Sequence, residues 1–193
     1  DGLPLEKRKP EWLRPVVHHG PEVLATRKVL RDHNMVTVCE DAGCPNLSEC
    51  WAAGTATFMV LGDRCTRACG FCLVDTSKPD GVDADEPRRV AEAVAALGLR
   101  HAVLTMVARD DLPDGGFSHV AQCTEHIRRL NPDTTIETLV SDGAGNSEAW
   151  RALFAQRPDV VNHNIETVQR LQRVVRPSAG YARSLAFLAA SKA

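Results

Sequence analysis

The sequence predicts an α/β fold made of parallel β/α units that follow a cysteine-rich extension. From residue 56 onward, short apolar runs alternate with amphipathic segments of helical period, which is typical of parallel strands joined by helices. Four such units in a row favour part of a β/α barrel or a doubly wound sheet. We therefore divide the 193-residue chain into an N-terminal extension, residues 1–55, and a β/α region, residues 56–193.

The N-terminal extension contains one predicted helix. Residues 1–20 are polar and rich in proline, so we expect them to form an extended arm. A helix is predicted over residues 22–33 because Pro21 stands at its first turn. Two glycines and a proline disfavour a long helix in the cysteine-bearing segment 37–54.

The β/α region contains four predicted strand–helix pairs and one more helix. Each strand is a short apolar run, and most helices stop at Gly, Pro or Asn-Pro. The predicted strands are residues 57–61, 102–104, 135–140 and 160–165. The predicted helices are residues 86–97, 117–130, 147–156, 167–175 and 181–192. Polar side chains at or near the strand ends are candidates for an active site; they are Asp63, Thr105, Glu137, Asn164 and Glu166.

Composition narrows the functional classes. The chain is 44% hydrophobic and 25% charged, with a formal charge of −2, so nothing indicates strong attraction to nucleic acid or to an anionic membrane. No apolar run reaches the roughly 18–20 residues that cross a bilayer. The start of the chain lacks the apolar stretch of a signal peptide, and seven cysteines argue against a disulfide framework. We expect a cytoplasmic protein, or one in an organelle matrix after removal of a transit peptide, with neither nucleic acid nor membrane as a partner.

Six of the seven cysteines fall in two trios, which are the most informative feature of the chain. The first trio is Cys39, Cys44 and Cys50, and the second is Cys65, Cys69 and Cys72. Three thiolates are one short of the four that usually complete a zinc site or a [4Fe–4S] cluster. A second trio bound to such a cluster would leave one iron open to a non-protein ligand. A zinc knuckle is the alternative for the second trio; a zinc site or unrelated buried thiols are alternatives for the first.

The second trio resembles the signature of the radical S-adenosylmethionine (SAM) superfamily. Three and then two residues separate its cysteines, and the aromatic Phe71 precedes the last one. The resemblance implies a [4Fe–4S] cluster whose fourth iron binds the amino and carboxylate groups of SAM. In that family an injected electron breaks the sulfonium and releases a 5′-deoxyadenosyl radical, which removes hydrogen from unactivated carbon. We expect Gly70 to let the backbone approach the cluster and Phe71 to shield it from water.

Longer segments narrow the resemblance to the lipoyl synthases. The sequence TVCEDAGCPNLSECW over residues 37–51 resembles their auxiliary-cluster segment, and both cysteine spacings match. Further matching segments are ATF at residues 56–58, GDRCTRACGFC at 62–72, RDDLPDGG at 109–116, HNIETV at 163–168, VRP at 175–177 and RSL at 183–185. The resemblance runs in the family's order from about residue 10 to residue 190. It implies a partial six-unit barrel of the TIM-like radical SAM type, of which about four units are present.

The resemblance also implies an activity and its partners. Lipoyl synthases are sulfurtransferases that insert two sulfur atoms, at C6 and C8 of an octanoyl chain carried by a lipoyl carrier domain. Such domains belong to the E2 subunit of 2-oxoacid dehydrogenases and to the H protein of the glycine cleavage system. Two [4Fe–4S] clusters are implied: one on Cys65, Cys69 and Cys72 cleaves SAM, and the auxiliary cluster on Cys39, Cys44 and Cys50 is consumed as the sulfur donor. A reductant such as ferredoxin or flavodoxin and an iron–sulfur carrier are the further expected partners.

Five residues outside the trios are candidates for contact with SAM or substrate. Thr105, Glu137, Asn164 and Glu166 lie at or near strand ends, where a carboxylate or amide can bond ribose hydroxyls or the methionine amine. Arg176 is a candidate for binding the methionine carboxylate, with capping of a helix end as the alternative.

Other polar residues have competing interpretations. Asp110, Asp111 and Asp114 form either a polar turn before the next helix or a wall of the pocket. His163 is expected to be structural. The helix at residues 117–130 carries Cys123, expected to be a small buried residue, and His119, expected at the surface.

The sequence departs from the family pattern in two places. The serine that is the fourth ligand of the auxiliary cluster in the family has no counterpart here, since the context of Ser184 matches an earlier family segment. We therefore expect a fragment or truncated product that lacks the C-terminal part of the family. Residues 140–145 differ from the Pro-Asp-Phe type of sequence usual after the third strand. Two other functions remain open: another sulfur-inserting radical SAM enzyme such as a methylthiotransferase, and a non-catalytic zinc or iron–sulfur protein.

Overall fold

The four predicted strands form one parallel sheet. The computed structural model describes Pro10, residues 20–41 and residues 44–192, so the predicted N-terminal arm lies almost entirely outside the described residues. The sheet has the order β1-β2-β3-β4, and every neighbouring pair is parallel. The strands are β1 (Thr55–Val60), β2 (His101–Met106), β3 (Thr135–Leu139) and β4 (Val160–Asn162). Each strand adds to the same edge without the reversal of a doubly wound sheet, so the barrel alternative is confirmed. The described sheet is not closed.

The helices of the β/α region confirm most sequence expectations. They are α4 (Glu86–Leu97), α5 (Phe117–Leu130), α6 (Ser147–Phe154), α7 (Gln172–Val175) and α8 (Tyr181–Ala190). The single helix predicted over residues 167–175 is wrong: a 3-10 turn at Gln169–Leu171 precedes a one-turn α7. The β-branched Thr167 and Val168 at its start disfavour helix formation.

The sheet buries one face against the helices and leaves the other more open. Ala102 and Leu104 of β2 and Ile136 of β3 are fully buried, whereas the alternating residues, such as His101 and Glu137, face the other side and are partly exposed. Because the strands are parallel and in register, the loops after β1, β2 and β3 emerge side by side.

The N-terminal extension shares this core. It forms α1 (Pro21–Asp32), α2 (Val38–Asp41) and α3 (Leu47–Ala52), so the segment 37–54 holds two short helices and no long one, as expected. Leu30 and Trp51 are buried in the same hydrophobic cluster as Phe58 of β1. The amide of Met59 donates to the carbonyl of Val36 over 2.9 Å, which fixes the extension to β1. Within the described residues, no helix has the length and apolar character that a membrane span needs.

Candidate functional site

The loop that carries the second trio begins at a tightly held turn. Leu61 and Gly62, directly after β1, both have positive φ angles, of 71° and 88°. The amide of Leu61 donates to a carboxylate oxygen of Glu86 over 2.9 Å, and its carbonyl accepts from Nη1 of Arg109 over 3.1 Å. The direction in which the chain leaves the sheet is therefore fixed by side chains from α4 and from the loop after β2.

The same loop is bonded to two neighbouring segments. The amide and the hydroxyl of Thr66 both donate to the carbonyl of Ala108, over 2.9 and 2.8 Å. The amide of Gly70 donates to the carbonyl of Val175 at the end of α7, over 3.0 Å. The loop thus bridges the carboxyl end of β2 and the end of α7.

The three cysteines of this loop line one cavity of about 170 Å³ at the carboxyl end of the sheet. The cavity wall also contains four of the five residues that the sequence predicted for SAM or substrate contact: Thr105, Asn164, Glu166 and Arg176. The cysteines follow β1, Thr105 lies in β2, and the other three residues come after β4. The fold therefore brings together groups that are up to 111 residues apart in the chain, from Cys65 to Arg176.

Glu137, the fifth predicted residue, is not on the wall of this cavity. Its carboxylate accepts a hydrogen bond from the amide nitrogen of Asn162 and lies 3.0 Å from Nε2 of His101. These partners lie on the open face of the sheet. The role of Glu137 in binding stays a prediction.

Arg176 connects the cysteine loop to the segment after β4. Its Nη1 donates to the carbonyl of Asn164 over 2.6 Å, and its buried Nε has no partner among the described residues. Burial raises the pKa of the Cys69 thiol, and the nearby Cys65 and Cys72 raise it further. The hydrogen bond and charge of Arg176 lower this pKa, but the net effect is an increase. Cys65, Cys72 and Arg176 therefore all lie near the sulfur of Cys69.

An ion-pair network that the sequence did not predict lies beside the cavity. Arg67, between Cys65 and Cys69, is buried and forms a bidentate pair with Asp110 at 2.6 and 2.7 Å. Its Nη2 also donates to the fully buried Asp142 over 2.6 Å. Burial opposes the charge of Arg67, but the hydrogen bonds to the two carboxylates raise its pKa above the ordinary value.

Asp142 extends this network to α8. Burial opposes its ionisation, but the hydrogen bond and charge of Arg67 hold its pKa below the usual value. Its carboxylate also accepts from the amide of Gly180 over 3.3 Å and lies 3.3 Å from Nε of Arg183. Asp142 lies in the segment 140–145, whose sequence differs from the family pattern. This segment nevertheless contains a carboxylate that anchors it to Arg67 and to Gly180.

The polar turn that the sequence allowed is confirmed for Asp114, whereas a place for Asp110 and Asp111 in the wall of the cofactor pocket stays a prediction. Asp114 accepts from the amides of Gly116 and Ser118, at 2.9 and 2.8 Å, and so stabilises the turn into α5. Asp110 and Asp111, by contrast, line a second cavity of about 460 Å³ between the loops after β2 and β3.

The first trio is spread over two short helices: Cys39 lies in α2, Cys44 between α2 and α3, and Cys50 in α3. The amide of Cys44 donates to the carbonyl of Cys39 over 3.0 Å. Burial raises the pKa of Cys50, and the nearby Cys39 and Cys44 raise it further. Cys39 and Cys44 are therefore close enough to Cys50 to disfavour a negative charge on its sulfur.

Cys123 and His163 have the buried and structural positions that the sequence predicts, whereas His119 does not lie at the surface. Cys123 is fully buried, as expected. His163 is structural: it is buried, with Nδ1 donating to the carbonyl of Val140 over 2.7 Å and Nε2 2.8 Å from the hydroxyl of Ser184. The surface position expected for His119 is wrong, because its Nε2 lies 2.6 Å from Glu86 in the core.

The donor set of the second trio, three thiols on one cavity wall, is suited to an iron–sulfur cluster. All seven cysteines are free thiols. Among the described residues, no three His, Cys, Asp or Glu side chains are placed to hold one metal ion. In a cubane cluster each thiolate binds a different iron, so its cysteines are spaced more widely than the ligands of one ion. The cavity with the three thiols of the second trio on its wall offers three such ligands.

Comparison with known proteins agrees with this chemistry. The sequence model of the radical SAM superfamily matches residues 59–193. Lipoyl synthase of Mycolicibacterium smegmatis is 49% identical over 189 residues, which are 98% of this chain and 60% of the relative. The lipoyl synthases of Nitrosococcus oceani and Halalkalibacterium halodurans are 51% and 52% identical, over 96% of this chain and 58% and 61% of their own lengths. The chain thus spans about three fifths of the length of these relatives.

Proposed function

The chain belongs to the radical SAM superfamily, and we propose that it acts as a lipoyl synthase, a sulfurtransferase that places sulfur at C6 and C8 of an octanoyl group on a carrier domain. The observation that carries the proposal is an identity of 49–52% to lipoyl synthases over a stretch that includes both cysteine trios. Membership of the superfamily implies an iron–sulfur cluster and SAM. That there are two clusters is part of the proposal.

We assign the SAM-cleaving cluster to Cys65, Cys69 and Cys72. When bound, the cluster and SAM supply the radical that removes hydrogen from saturated carbon, which side-chain acids and bases cannot activate. The chain's own contribution is placement: the bonds from the loop to Ala108 and Val175 hold the three thiols on one cavity wall. Such fixed placement limits side reactions of a reactive species.

Four cavity residues are proposed to bind SAM or substrate. The carboxylate of Glu166 and the amide of Asn164 are suited to hydroxyl and ammonium groups, and Thr105 adds a hydroxyl. Arg176 is suited to a carboxylate, because its buried Nε has no partner in the part of the chain that the structure describes and a buried donor is expected to find one.

The sulfur-donor cluster is proposed to lie on Cys39, Cys44 and Cys50. Ser184 is not available as its fourth ligand, because it is fully buried and 2.8 Å from Nε2 of His163. This agrees with the expectation from the sequence that Ser184 is not the family's ligand serine.

The proposed partners follow from this activity. They are octanoylated lipoyl carrier domains, of the E2 or H-protein type, a low-potential reductant such as ferredoxin or flavodoxin, and an iron–sulfur carrier that rebuilds the consumed cluster. Six ligand thiols need a reducing compartment, so we place the protein in the cytoplasm or an equivalent organelle matrix.

Anaerobic reconstitution with iron and sulfide tests the cluster assignment. We expect a brown protein with about eight irons per chain when both cubanes form. Replacing either trio by alanine is expected to remove about half of the iron. Colourless protein with stoichiometric zinc would instead support a non-catalytic zinc protein.

Turnover with an octanoylated carrier peptide, SAM and a strong reductant tests the activity. Mass spectrometry is expected to show the gain of two sulfur atoms on the octanoyl group, together with 5′-deoxyadenosine. The alanine variant of the first trio is the control, since it should still cleave SAM but transfer no sulfur. A methylthio group on the product would support the methylthiotransferase alternative.

A further inference from the structure

Arg67 occupies an unusual position within the cysteine loop. It lies between two of the proposed cluster ligands, lines the cysteine cavity, and its side chain is only 3% exposed. Asp110, from the loop after β2, and Asp142, from the loop after β3, hold its Nε and Nη2 at 2.6–2.7 Å. Two carboxylates, from the loops after two different strands, therefore fix the plane of this guanidinium.

One nitrogen of this guanidinium makes no hydrogen bond to the described residues. Nη1 of Arg67 is buried and has no hydrogen-bond partner among the described residues. A charged donor buried without a partner is unfavourable, and such a group in a native protein calls for a missing acceptor. The guanidinium cannot rotate to expose Nη1 without breaking its bonds to Asp110 and Asp142.

We propose that Arg67 is a positioning residue that ties the cysteine loop to the ends of β2 and β3 and donates a hydrogen bond from Nη1 to a sulfur of the cluster held by Cys65, Cys69 and Cys72. The inference rests on the proposed cluster site. Cluster sulfurs are acceptors, and hydrogen bonds to them are among the factors that set the reduction potential. A positive donor stabilises the more negative, reduced cluster, so Arg67 makes the cluster easier to reduce.

A redox titration of the reconstituted chain, followed by EPR without SAM, tests this inference. R67Q removes the charge and Nη1, R67K keeps the charge without the planar fork, and R88Q is the matched control on the exposed face of α4. To isolate one signal, all three are made in a background with Cys39, Cys44 and Cys50 replaced by alanine. We expect a more negative midpoint potential in R67Q, a smaller shift in R67K and no shift in R88Q. An R67Q protein with full iron content and an unchanged potential would overturn the inference.

A second measurement covers the case in which R67Q fails to load a cluster. The background protein is labelled with [¹⁵N]guanidino-arginine, and the reduced cluster is examined by electron–nuclear double resonance. Arg176 lies close enough to Cys69 to couple to the cluster as well, so R176K is added to the background for this measurement. We expect a ¹⁵N coupling in the R176K protein that disappears when R67K is added. Persistence of the coupling in the protein with both substitutions, or no coupling in the R176K protein, would overturn the inference. A background protein that binds no cluster would instead contradict the proposed function.

Discussion

Asp142 is a buried charge whose partners come from distant parts of the chain. Its side chain has 0% exposure and bonds Arg67, 75 residues earlier, and Gly180, 38 residues later. The Asp142→Asn substitution keeps the shape but removes the charge, leaving Arg67 with one carboxylate. We expect the free energy of unfolding to fall by about 3 kcal/mol, since breaking a buried ion pair costs about 3–5 kcal/mol.

Chemical denaturation of the apo protein measures this effect. Asp133→Asn is the matched control, because Asp133 lies in an exposed turn between α5 and β3, and it is expected to change stability by no more than about 0.5 kcal/mol. Equal stability of the two variants would show that Asp142 does not anchor the loops.

His163 makes the stability of the protein depend on pH near neutrality. The carbonyl of Val140 can only accept, so Nδ1 carries the proton and Nε2 accepts from Ser184. Burial lowers the pKa of His163, the bond to Val140 and the charge of Asp142 oppose this, and the charges of Arg176 and Arg67 reinforce it.

The sign of the pH effect follows from that lowered pKa. Below about pH 6.5, the unfolded chain binds a proton at His163 that the folded protein does not yet bind, so stability is lost as pH falls through this range. Denaturation midpoints at pH 8 and pH 5.5 measure the loss, and His163→Gln should reduce it. The same loss in both proteins would contradict a neutral buried His163.

At the residue scale, the sequence predicts what is close along the chain. The cysteine trios could be recognised because their ligands lie within a few residues of one another. The partners of Arg67 could not, since Asp110 and Asp142 approach it only through the register of three strands. His119 was misplaced for a similar reason: its partner Glu86 is on another helix, and a histidine on an amphipathic segment carries no signal of that pairing.

At the scale of elements, prediction succeeds where local signals are strong. The bounds of α4 and α5 match the predicted ones, with Gly98 in the left-handed conformation after α4 and Asn131-Pro132 after α5. Tertiary contacts decide the weaker segments. The segment predicted as a helix over residues 167–175 instead forms a 3-10 turn and a one-turn helix, and Gln172 and Arg176 at the two ends of that helix are buried.

Gly116, the residue before α5, packs closely against Leu61, the residue that follows β1. Its φ is +88°, and a Cβ there would lie 2.3 Å from Cδ1 of Leu61, the buried residue that precedes the cysteine loop. Gly62 has the same φ, but nothing lies within 4 Å of its missing Cβ. An alanine at position 62 would therefore introduce backbone strain alone, whereas an alanine at position 116 would add a steric clash with Leu61.

We expect Gly62→Ala to lower the free energy of unfolding by about 1–2 kcal/mol, from strain alone. Gly116→Ala should lower it by a further 1–3 kcal/mol or so, because the methyl group displaces Leu61 in a packed core. Urea denaturation of both variants measures the difference. If the two variants lose the same stability, the contact with Leu61 does not constrain the end of β1.

At the scale of the whole molecule, the cysteine loop joins several segments along the carboxyl edge of the sheet. It is bonded to the loop after β2 through Ala108, to α7 through Val175 and, by way of Arg67 and Asp142, to the loop after β3. Asp142 continues the connection to Gly180 at the start of α8. A ligand that fixes the loop therefore restrains the whole carboxyl edge of the sheet.

Cluster binding at the second trio should accordingly raise the melting temperature of the entire β/α region. A group that binds only the folded state stabilises it by mass action, and in a chain of this size each kcal/mol corresponds to roughly 2–4 °C. Anaerobic melts of apo and reconstituted protein, followed by the circular dichroism of the helices, measure the shift. The protein with alanines at Cys39, Cys44 and Cys50 should keep most of it, whereas the protein with alanines at Cys65, Cys69 and Cys72 should lose most of it. If the second set of substitutions left the shift intact, the loop would not be the point at which the cofactor and the fold are coupled.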